Sequence, residues 1–359
     1  MAGYGILNQI ALKETASAQI FGKFVQNVLH VNGKGVDESY VNEAALGSQS
    51  IAIPHVNLGA GSFRKLGSTV NGGQFNSNAA VNPKSNYFYV PLLYVYDRTE
   101  KLAKIMNDKA GYALLEKVTA NMSLKIARGI NAITFAEQIS KTLNDSYTSG
   151  KNTYITEGAS AYEAFVDANA LLDEGDDAIE CDFFPTEMRQ AFVRPSYFSA
   201  FKKGDTRYII NSDLGQEMLA TGVLNPFTNS EASKVKMREG YGGEIDGVPV
   251  YKVSPVLWKL AATYVISNGE ALDDTAFDKI DAMVCSGVGT IRGFSSSGDI
   301  EVVPAQEGQG WVLQPLVHGG VSCISGKSVR LIVKEDFVNP VTSEATKLSI
   351  LPVESQPAA

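Results

Sequence analysis

The sequence contains few of the residues on which catalytic and metal centres are usually built. Its only histidines, His30, His55 and His318, lie in three different segments, and none has a partner at metal-ligand spacing. No GxSxG, GxxxxGK[ST] or calcium-loop pattern occurs, and the late glycine run beginning at Gly287 is spaced GxGxxxG and follows no βαβ pattern. The sequence therefore predicts no catalytic site, no cofactor and no metal site.

Cysteines and long apolar runs are scarce as well. Cys181, Cys285 and Cys323 are odd in number and far apart, which predicts buried, reduced thiols that form no disulfide. No run of about 18 apolar residues exists, so no membrane-spanning helix is expected. Residues 1–19 lack the basic and apolar regions of a signal peptide, so secretion is not expected either.

Charged residues are also few. They make up 19% of the chain, below the usual figure of about 25%, and the net charge is −8. An acidic chain of this kind shows no global signal for nucleic-acid binding. The low charge and the 33 glycines together indicate long loops and a surface that is largely covered by other protein.

Among the patterns that are present, the longest is the helical periodicity of residues 97–145. Apolar side chains recur there at spacings of three and four, which predicts one buried stripe on a very long helix. Asp97 followed by Glu100 indicates a capping box at its start. The stripe comprises Leu115, Val118, Met122, Ile126, Ile130 and Ile133, and the opposite, solvated side carries Lys117, Asn121, Lys125 and Arg128. Such a helix is expected to be a spine on which other elements pack.

The segment before this spine has a different character. Between Ser50 and Tyr96 two β-prone stretches flank a glycine-rich stretch with Asn71-Gly72 at its centre. We predict a long two-stranded hairpin with a polar tip. It holds too few apolar side chains to fold by itself, so something outside the chain is expected to cover it.

The second half of the chain is predicted to be rich in strands. A helix is expected over 159–172, followed by an acidic, solvated loop at 173–177, and Asp246-Gly247 predicts a tight turn between two strands within 240–253. Further strands are expected at 190–193, within 280–294 and 310–323, and at 329–333. The fold class is therefore α+β.

The order of these segments, together with three short motifs, resembles the major capsid protein of tailed bacteriophages, the Hong Kong 97-type capsid fold. That family shares an N-terminal arm, an extended loop, a long spine helix and then a compact axial domain. The motifs are Ala170–Glu174 followed by Pro185, Arg189, Val193-Arg194-Pro195 and Tyr197; Gly247-Val248-Pro249-Val250-Tyr251; and His318-Gly319-Gly320-Val321 leading to Val329.

The resemblance implies a division of the chain into five parts. They are an N-terminal arm (1–47), an extended loop (48–92), a peripheral domain with the spine helix 97–145 (93–180), an axial domain (181–328), and a return to the peripheral domain with the C-terminal tail (329–359). Contact with a neighbouring subunit is then expected at the tip of the extended loop. The tip residues concerned are Phe63, Arg64, Lys65, Leu66 and Phe75.

The resemblance also implies a structural role. The chain would assemble as pentamers and hexamers into an icosahedral head that encloses double-stranded DNA without sequence-specific binding. Scaffolding, portal and decoration proteins are candidate partners, and no membrane is involved. The location implied is the virion, assembled in the cytoplasm of the host bacterium.

Two other interpretations are compatible with the sequence. An encapsulin-like nanocompartment shell shares the same resemblance and encloses enzymes in place of DNA. More remotely, a two-domain enzyme could build a dispersed site from Glu187, Arg189 and His318.

Overall fold

The structure is a computed structural model. It describes residues 39–42, 50–57, 84–91, 94–96, 100–103, 109–151, 153–156, 161–176, 181, 183–197, 209–211, 216–218, 241–268, 270–272, 274–295, 300–304, 310–315 and 317–350. The helices are α1 (Lys109–Ser149), α2 (Ala161–Ala170), α3 (Pro255–Tyr264) and α4 (Asp274–Phe277).

The strands of the first half are β1 (Ser39–Asn42), β2 (Ser50–Asn57), β3 (Lys84–Pro91), β4 (Tyr94–Tyr96), β5 (Glu100–Ala103), β6 (Tyr154–Thr156) and β7 (Arg189–Val193). Next come β8 (Ile209–Asn211), β9 (Gln216–Met218), β10 (Tyr241–Ile245), β11 (Val248–Lys252), β12 (Val265–Ser267), β13 (Glu270–Ala271) and β14 (Ile280–Ser286). The last are β15 (Thr290–Ser295), β16 (Ile300–Pro304), β17 (Gly310–Pro315), β18 (Val317–Cys323), β19 (Val329–Val333) and β20 (Leu348–Ile350). With helices and strands both abundant and mostly antiparallel pairing, the predicted α+β class is confirmed.

The spine helix α1 is 41 residues long, which corresponds to about 60 Å at 1.5 Å per residue. It ends where Gly150 adopts a left-handed conformation (φ 65°), the usual backbone geometry just beyond a helix end. Its predicted start at Asp97 is wrong. Glu100 lies in β5, opposite Leu313 of β17, so pairing with a distant strand outweighs the local capping signal.

The strands β4, β5, β15, β16, β17 and β18 pair in a long antiparallel ribbon, and its strand β18 contacts the spine. We refer to residues 94–103, 290–304 and 310–323 as the segments of this ribbon. Tyr94 lies opposite Gly319 and Ala103 lies opposite Gly310. The two segments therefore contain the same number of residues between these pairs. The pair β4–β18 and the pair β5–β17 therefore share a single register. At about 3.3 Å per residue, the 310–323 segment spans up to about 46 Å.

The third segment of the ribbon, residues 290–304, is less regular. Thr290 faces Cys323 and Pro304 faces Trp311, so the 290–304 side contains two more residues than the side it pairs with. The outer edge of β15 is covered by β1, which pairs with it in parallel. Extra residues of this kind bend a strand and increase its twist.

A mixed six-stranded sheet in the order β10-β11-β7-β14-β19-β6 forms the centre of the described fold. Its middle strands β7, β14 and β19 are buried at every position. Strands that are covered on both faces need apolar side chains in succession, which explains the run Ala282–Cys285 in β14.

The two faces of this sheet pack against different helices. Phe192, Met283 and Leu331 point towards α1 and α3, whereas Ala191, Val284 and Ile332 point towards α2. Near the centre of the first layer, the ring of Phe135 on α1 lies 5.2 Å from that of Phe192 and 5.3 Å from that of Trp258. Burying each of these large rings contributes roughly 1.5–3 kcal/mol to the stability of the fold.

The helix α3 lies in the same layer as α1, and its start is encoded locally. The hydroxyl of Ser254 accepts a hydrogen bond from the backbone N–H of Val256, and Pro255 occupies the first turn, where a missing N–H costs nothing. Ser254 and Pro255 thereby place Trp258 against the spine. Residues 255–264 thus form a helix that packs on α1.

The chain segments implied by the resemblance meet in this one sheet. Of its six strands, β6 belongs to the expected part 93–180, four strands belong to 181–328, and β19 belongs to 329–359. The border between the expected peripheral and axial domains therefore passes between the hydrogen-bonded strands β14 and β19. The arm expected over 1–47 lies outside the described residues except for β1.

The turn between β10 and β11 matches its prediction. Asp246 and Gly247 both have positive φ angles, 49° and 80°, which is the backbone conformation that two-residue hairpin turns need. The strand predicted at 329–333 is also confirmed. The helix expected at 159–172 is present as α2, continued by a short 3-10 helix, Leu171–Glu174.

Candidate functional site

The ribbon enters the core of the fold through one turn, Ser325–Ser328, between β18 and β19. We call this turn, with the side chains that hold it, the junction. The Ser325 hydroxyl accepts a hydrogen bond from the N–H of Lys327 (3.2 Å), and the Ser328 hydroxyl donates to the Ser325 carbonyl (2.6 Å). Gly289 lies so close that a Cβ added there would be 1.8 Å from the Ser328 hydroxyl oxygen. The turn is therefore fixed by its own polar side chains and by a glycine contact.

The spine holds the junction from one side. The Oδ2 atom of Asp145 accepts a hydrogen bond from the backbone N–H of Gly326 (2.9 Å), and its Oδ1 atom lies 3.1 Å from the Nζ atom of Lys141. A charged acceptor makes a stronger hydrogen bond than a neutral one. One carboxylate near the C-terminal end of α1 thus ties the spine to the ribbon's entry point.

The segment after α2 holds the junction from the other side. Asp176 is only 7% exposed, accepts a hydrogen bond from the Ser325 hydroxyl, and has the Lys327 Nζ atom 3.2 Å from its Oδ1 atom. Close by in the fold, the buried Arg330 donates from Nη2 to the carbonyl of Leu171 (3.2 Å). The expectation that the acidic run 173–177 is a solvated loop is therefore wrong for Asp176. Its partners lie about 150 residues further along the chain, where local sequence cannot reveal them.

The inner end of the ribbon also contacts the middle of the spine. The Oε1 atom of Glu137 accepts a hydrogen bond from the N–H of Cys323 (3.2 Å), and the Nε2 atom of Gln138 donates to the hydroxyl of Thr290 (3.1 Å). Cys323 and Thr290 are directly opposite each other in β18 and β15. Two consecutive spine residues therefore hold two paired strands.

Burial dominates the electrostatics of this contact. It raises the pKa of the Glu137 carboxyl above its ordinary value, against the smaller opposing effects of the Cys323 N–H and Lys141. It also raises the pKa of the Cys323 thiol to about 12, and the nearby carboxylate of Glu137 adds to this effect. A thiol of this kind is not a nucleophile at neutral pH. Cys323 is therefore a buried, protonated thiol whose backbone N–H helps to hold the strand on the spine.

The extended hairpin is the second candidate region. β2 and β3 pair over eight residues each, from Ser50 opposite Pro91 to Asn57 opposite Lys84. Among the described strands they pair only with each other, although β3 lies beside β18 and β15 of the ribbon. The predicted two-stranded hairpin is therefore present. The tip residues expected to contact a neighbour, Phe63, Arg64, Lys65, Leu66 and Phe75, lie outside the described residues.

The apolar stripe of the spine faces the interior in the part that the structure describes. Met122, Ile126, Ile130 and Ile133 are buried, with exposed fractions of 7% or less, and Val118 is half-buried. Leu115 belongs to α1, but its side chain lies outside the described part. On the opposite side Lys117, Asn121 and Arg128 are exposed and Lys125 is half-buried.

The three residues of the remote enzyme interpretation are not brought together as a site. Arg189 is buried in β7 and serves the local fold: its guanidinium donates to the carbonyls of Phe184 and Asn169 and pairs with Asp173. His318 lies in β18 of the ribbon, opposite Val95, in a different sheet. The side chain of Glu187 is not among those described.

The other expectations concern thiols, metals and membranes. Cys285 and Cys323 are buried, Cys181 is half-buried, and all three are thiols and not disulfides. Within the described residues no cluster of His, Cys, Asp and Glu could hold a metal ion. None of the helices described is long and apolar enough to cross a bilayer.

Sequence comparisons give no relative for this chain: no protein-family model matches it, and no curated protein sequence does. Solved structures do match, and phage capsids dominate them. The capsid of Ralstonia phage GP4 is 11% identical, with a TM-score of 0.46, over 81% of this chain and 85% of that chain. The capsid of the cyanophage P-SCSP1u is 15% identical, with a TM-score of 0.43, over 80% and 84%.

A virus-like particle from Pyrococcus furiosus is similar to the same extent. It is 9% identical, with a TM-score of 0.42, over 89% of this chain and 98% of that chain. At these identities the likeness concerns the fold alone. Phage capsid proteins, the class that the sequence resembles, thus recur among the structures that are similar to this chain.

Proposed function

We propose that this chain is the repeating subunit of a closed protein shell with the Hong Kong 97-type capsid fold, namely the major capsid protein of a tailed phage. In this proposal the shell encloses double-stranded DNA. One observation carries it: a spine helix, a long ribbon and a separate two-stranded hairpin are joined to a single compact core, in the chain order that the resemblance requires. The subunit has no catalytic role in this proposal.

The hairpin argues for a partner. A two-stranded hairpin is marginally stable in water when nothing covers it, and unpaired strand edges promote association. β2 and β3 pair with no third strand among the described residues. Contact with a neighbouring subunit would cover the hairpin. The tip residues Phe63, Arg64, Lys65, Leu66 and Phe75 are proposed to make that contact.

The junction supports the same proposal because it indicates which part of the subunit is rigid. A shell built from pentamers and hexamers uses one sequence in slightly different surroundings. Such a subunit needs a rigid body that keeps its shape and extended parts that adapt. Asp145 and Asp176 fix the turn Ser325–Ser328 from two sides, which makes the ribbon part of the rigid body. The hairpin then remains as the adaptable part.

Electron microscopy of negatively stained particles tests the proposal. The full chain, purified from cells that express it, should form closed shells of uniform size, and light scattering should give one matching radius. A chain that remains monomeric or dimeric at all concentrations, with and without candidate scaffolding partners, would overturn the proposal.

The contents of the particle decide between the two kinds of shell. Particles isolated from the producing host should contain DNA that is protected from nuclease. Shells that hold a protein cargo and no nucleic acid would instead assign the chain to the encapsulin-like alternative. Portal, scaffolding and decoration proteins would be identified as further bands in the same particles.

A further inference from the structure

The N-terminal part of the spine presents a basic face. Lys117 and Arg128 are exposed, Lys125 is half-buried, and the exposed Asn121 and Leu124 lie between them. At 100° per residue these five positions fall within a sector of about 100° on the helix. Three cations therefore share one side of α1 with only neutral neighbours on that side.

No acidic residue of the helix falls within this sector. The nearest ones, Glu116 and Glu137, lie outside it, and from Lys117 to Ala136 the sequence contains no Asp or Glu. In the part of the chain that the structure describes, neither Lys117 nor Arg128 has an ion-pair partner. The face is thus a local positive region in a chain whose net charge is −8.

The orientation of the face is fixed by the packing of the helix. On the opposite side Met122 and Ile126 are buried, with exposed fractions of 0% and 2%. Beyond them the helix is enclosed: every residue from Ile130 to Ala136 is buried. The basic face therefore cannot turn inwards and is confined to the exposed front part of the spine.

We propose that this face binds the phosphate backbone of double-stranded DNA without reading its sequence. The inference rests on the proposed function in one respect, because it places the face on the inner surface of the shell. Lys117 and Arg128 are separated by a rise of about 17 Å along the helix, which matches about five base pairs of duplex. Cations on a smooth helix face contact phosphates and offer no set of groups that would read base edges.

The strength expected of one copy is low. Three phosphate contacts give a slope of about −3 for log K against log salt concentration, and correspondingly weak binding at physiological salt. Many copies that face the same enclosed polymer would hold it by multivalency. Weak single contacts also leave the DNA free to move past the wall, which tight binding would prevent.

A salt titration of DNA binding tests the proposal. The full-length protein is titrated into a short fluorescent duplex of mixed sequence, and the dissociation constant is measured from about 50 to 200 mM salt, a range over which three contacts predict a roughly 40-fold loss of affinity. The variant Lys117→Gln/Lys125→Gln/Arg128→Gln should bind at least about tenfold more weakly at the lowest salt, and its salt dependence should flatten.

The matched control removes the same charge elsewhere. Lys252→Gln/Lys259→Gln/Lys334→Gln changes three exposed lysines and should leave affinity within about twofold of the unmodified chain. Equal losses in both triple variants, or no loss in the first, would overturn the proposal. If circular dichroism shows that the first triple variant is unfolded, the single variants Lys117→Gln and Arg128→Gln are measured instead. Each should reduce the slope of log K against log salt concentration by about 1.

Shell formation by the same variants separates this inference from the proposed function. An unmodified chain that forms shells but does not bind the duplex overturns only the DNA-binding face. A chain that binds the duplex through this face and never forms shells overturns the proposed function and leaves the face as a DNA contact. If the first triple variant binds DNA normally but fails to assemble, the face contacts an acidic part of another subunit, and the proposal is wrong.

Discussion

The carboxylate of Asp145 and the backbone N–H of Gly326 meet at 2.9 Å, although 181 positions separate them in the sequence. Asp145 belongs to the last turns of the spine, and Gly326 to the turn that brings the ribbon into the core. Their approach is too close for any larger residue, because a Cβ on Gly326 would lie 2.5 Å from Oδ2 of Asp145.

The first prediction follows from this contact. Gly326→Ala should displace the Asp145 carboxylate, break its hydrogen bond and lower the free energy of unfolding by about 1–3 kcal/mol. The matched control is Gly129→Ala, where an added Cβ meets nothing within 4 Å. That change, inside a helix, should be neutral or stabilise by up to about 1 kcal/mol. Urea unfolding of both variants measures the difference, and equal effects would contradict the prediction.

A second prediction concerns the buried stripe of the spine. Ile126→Asp or Met122→Asp should prevent folding, since each places an unpaired charge in the core at a cost of several kcal/mol. Lys117→Asp introduces the same side chain on the exposed side of the helix and should leave a folded protein, and Lys125→Ala should also be mild. Yield of soluble protein and far-UV circular dichroism are the measurements. A soluble, cooperatively unfolding Ile126→Asp protein would show that the stripe does not support the fold.

The third prediction is a pH dependence that arises at Glu137. Burial raises the pKa of its carboxyl above the ordinary value of 4.5, so ionisation is less favourable in the folded than in the unfolded chain. The ionised group therefore costs stability at neutral pH, and the cost is removed as pH falls through the raised pKa. Glu137→Gln keeps an oxygen that can accept the Cys323 N–H. It should be more stable than the unmodified chain at pH 7, and this advantage should shrink towards pH 4.5.

Urea midpoints at several pH values measure this effect. The control, Glu344→Gln, removes the same charge from a side chain that is 72% exposed. The Glu137→Gln advantage should be lost on acidification. An advantage that grows as the pH falls would have the opposite sign, and would mean that the ionised form of Glu137, paired with the Cys323 N–H, stabilises the fold.

A fourth prediction concerns the extended hairpin. Replacement of residues 61–82 by a short Gly-Ser turn should leave a folded protein with a nearly unchanged circular dichroism spectrum and unfolding midpoint. Because that tip is proposed to contact a neighbour, the shortened protein should remain as monomers or small capsomers. Light scattering decides the outcome. Normal-sized and equally stable shells from the shortened chain would show that the tip is dispensable for assembly.

Local signals in the sequence are sufficient to predict most of the individual elements. Asp246-Gly247 predicts its turn because few residue pairs adopt positive φ at both positions. The run at 329–333 predicts a strand because Val329, Leu331, Ile332 and Val333 are apolar, which suits a strand covered on both faces. The long hairpin around β2 and β3 follows from β-prone stretches that flank a glycine-rich segment.

The wrong predictions have a common physical cause, which is the choice of distant partners. Asp97 and Glu100 carry a helix-start pattern, yet Glu100 pairs with Leu313 in a strand. Asp176 sits in an acidic run that favours solvent, yet Ser325 and Lys327 bury it. Nothing near these residues encodes such partners, and the sequence of the turn itself signals only that the chain reverses there. The junction is for this reason not predictable from local sequence.

The single register of β4–β5 against β17–β18 has a mechanical consequence. Because its strand pairs share one register, the far end of the ribbon is placed by the turn at Ser325–Ser328. Over a length of up to about 46 Å, an error of about 5° in the direction set by that turn would displace the far end, near Gly310, by about 4 Å. The contacts of Asp145 and Asp176 with the turn therefore limit how far the distant end of the ribbon can be displaced.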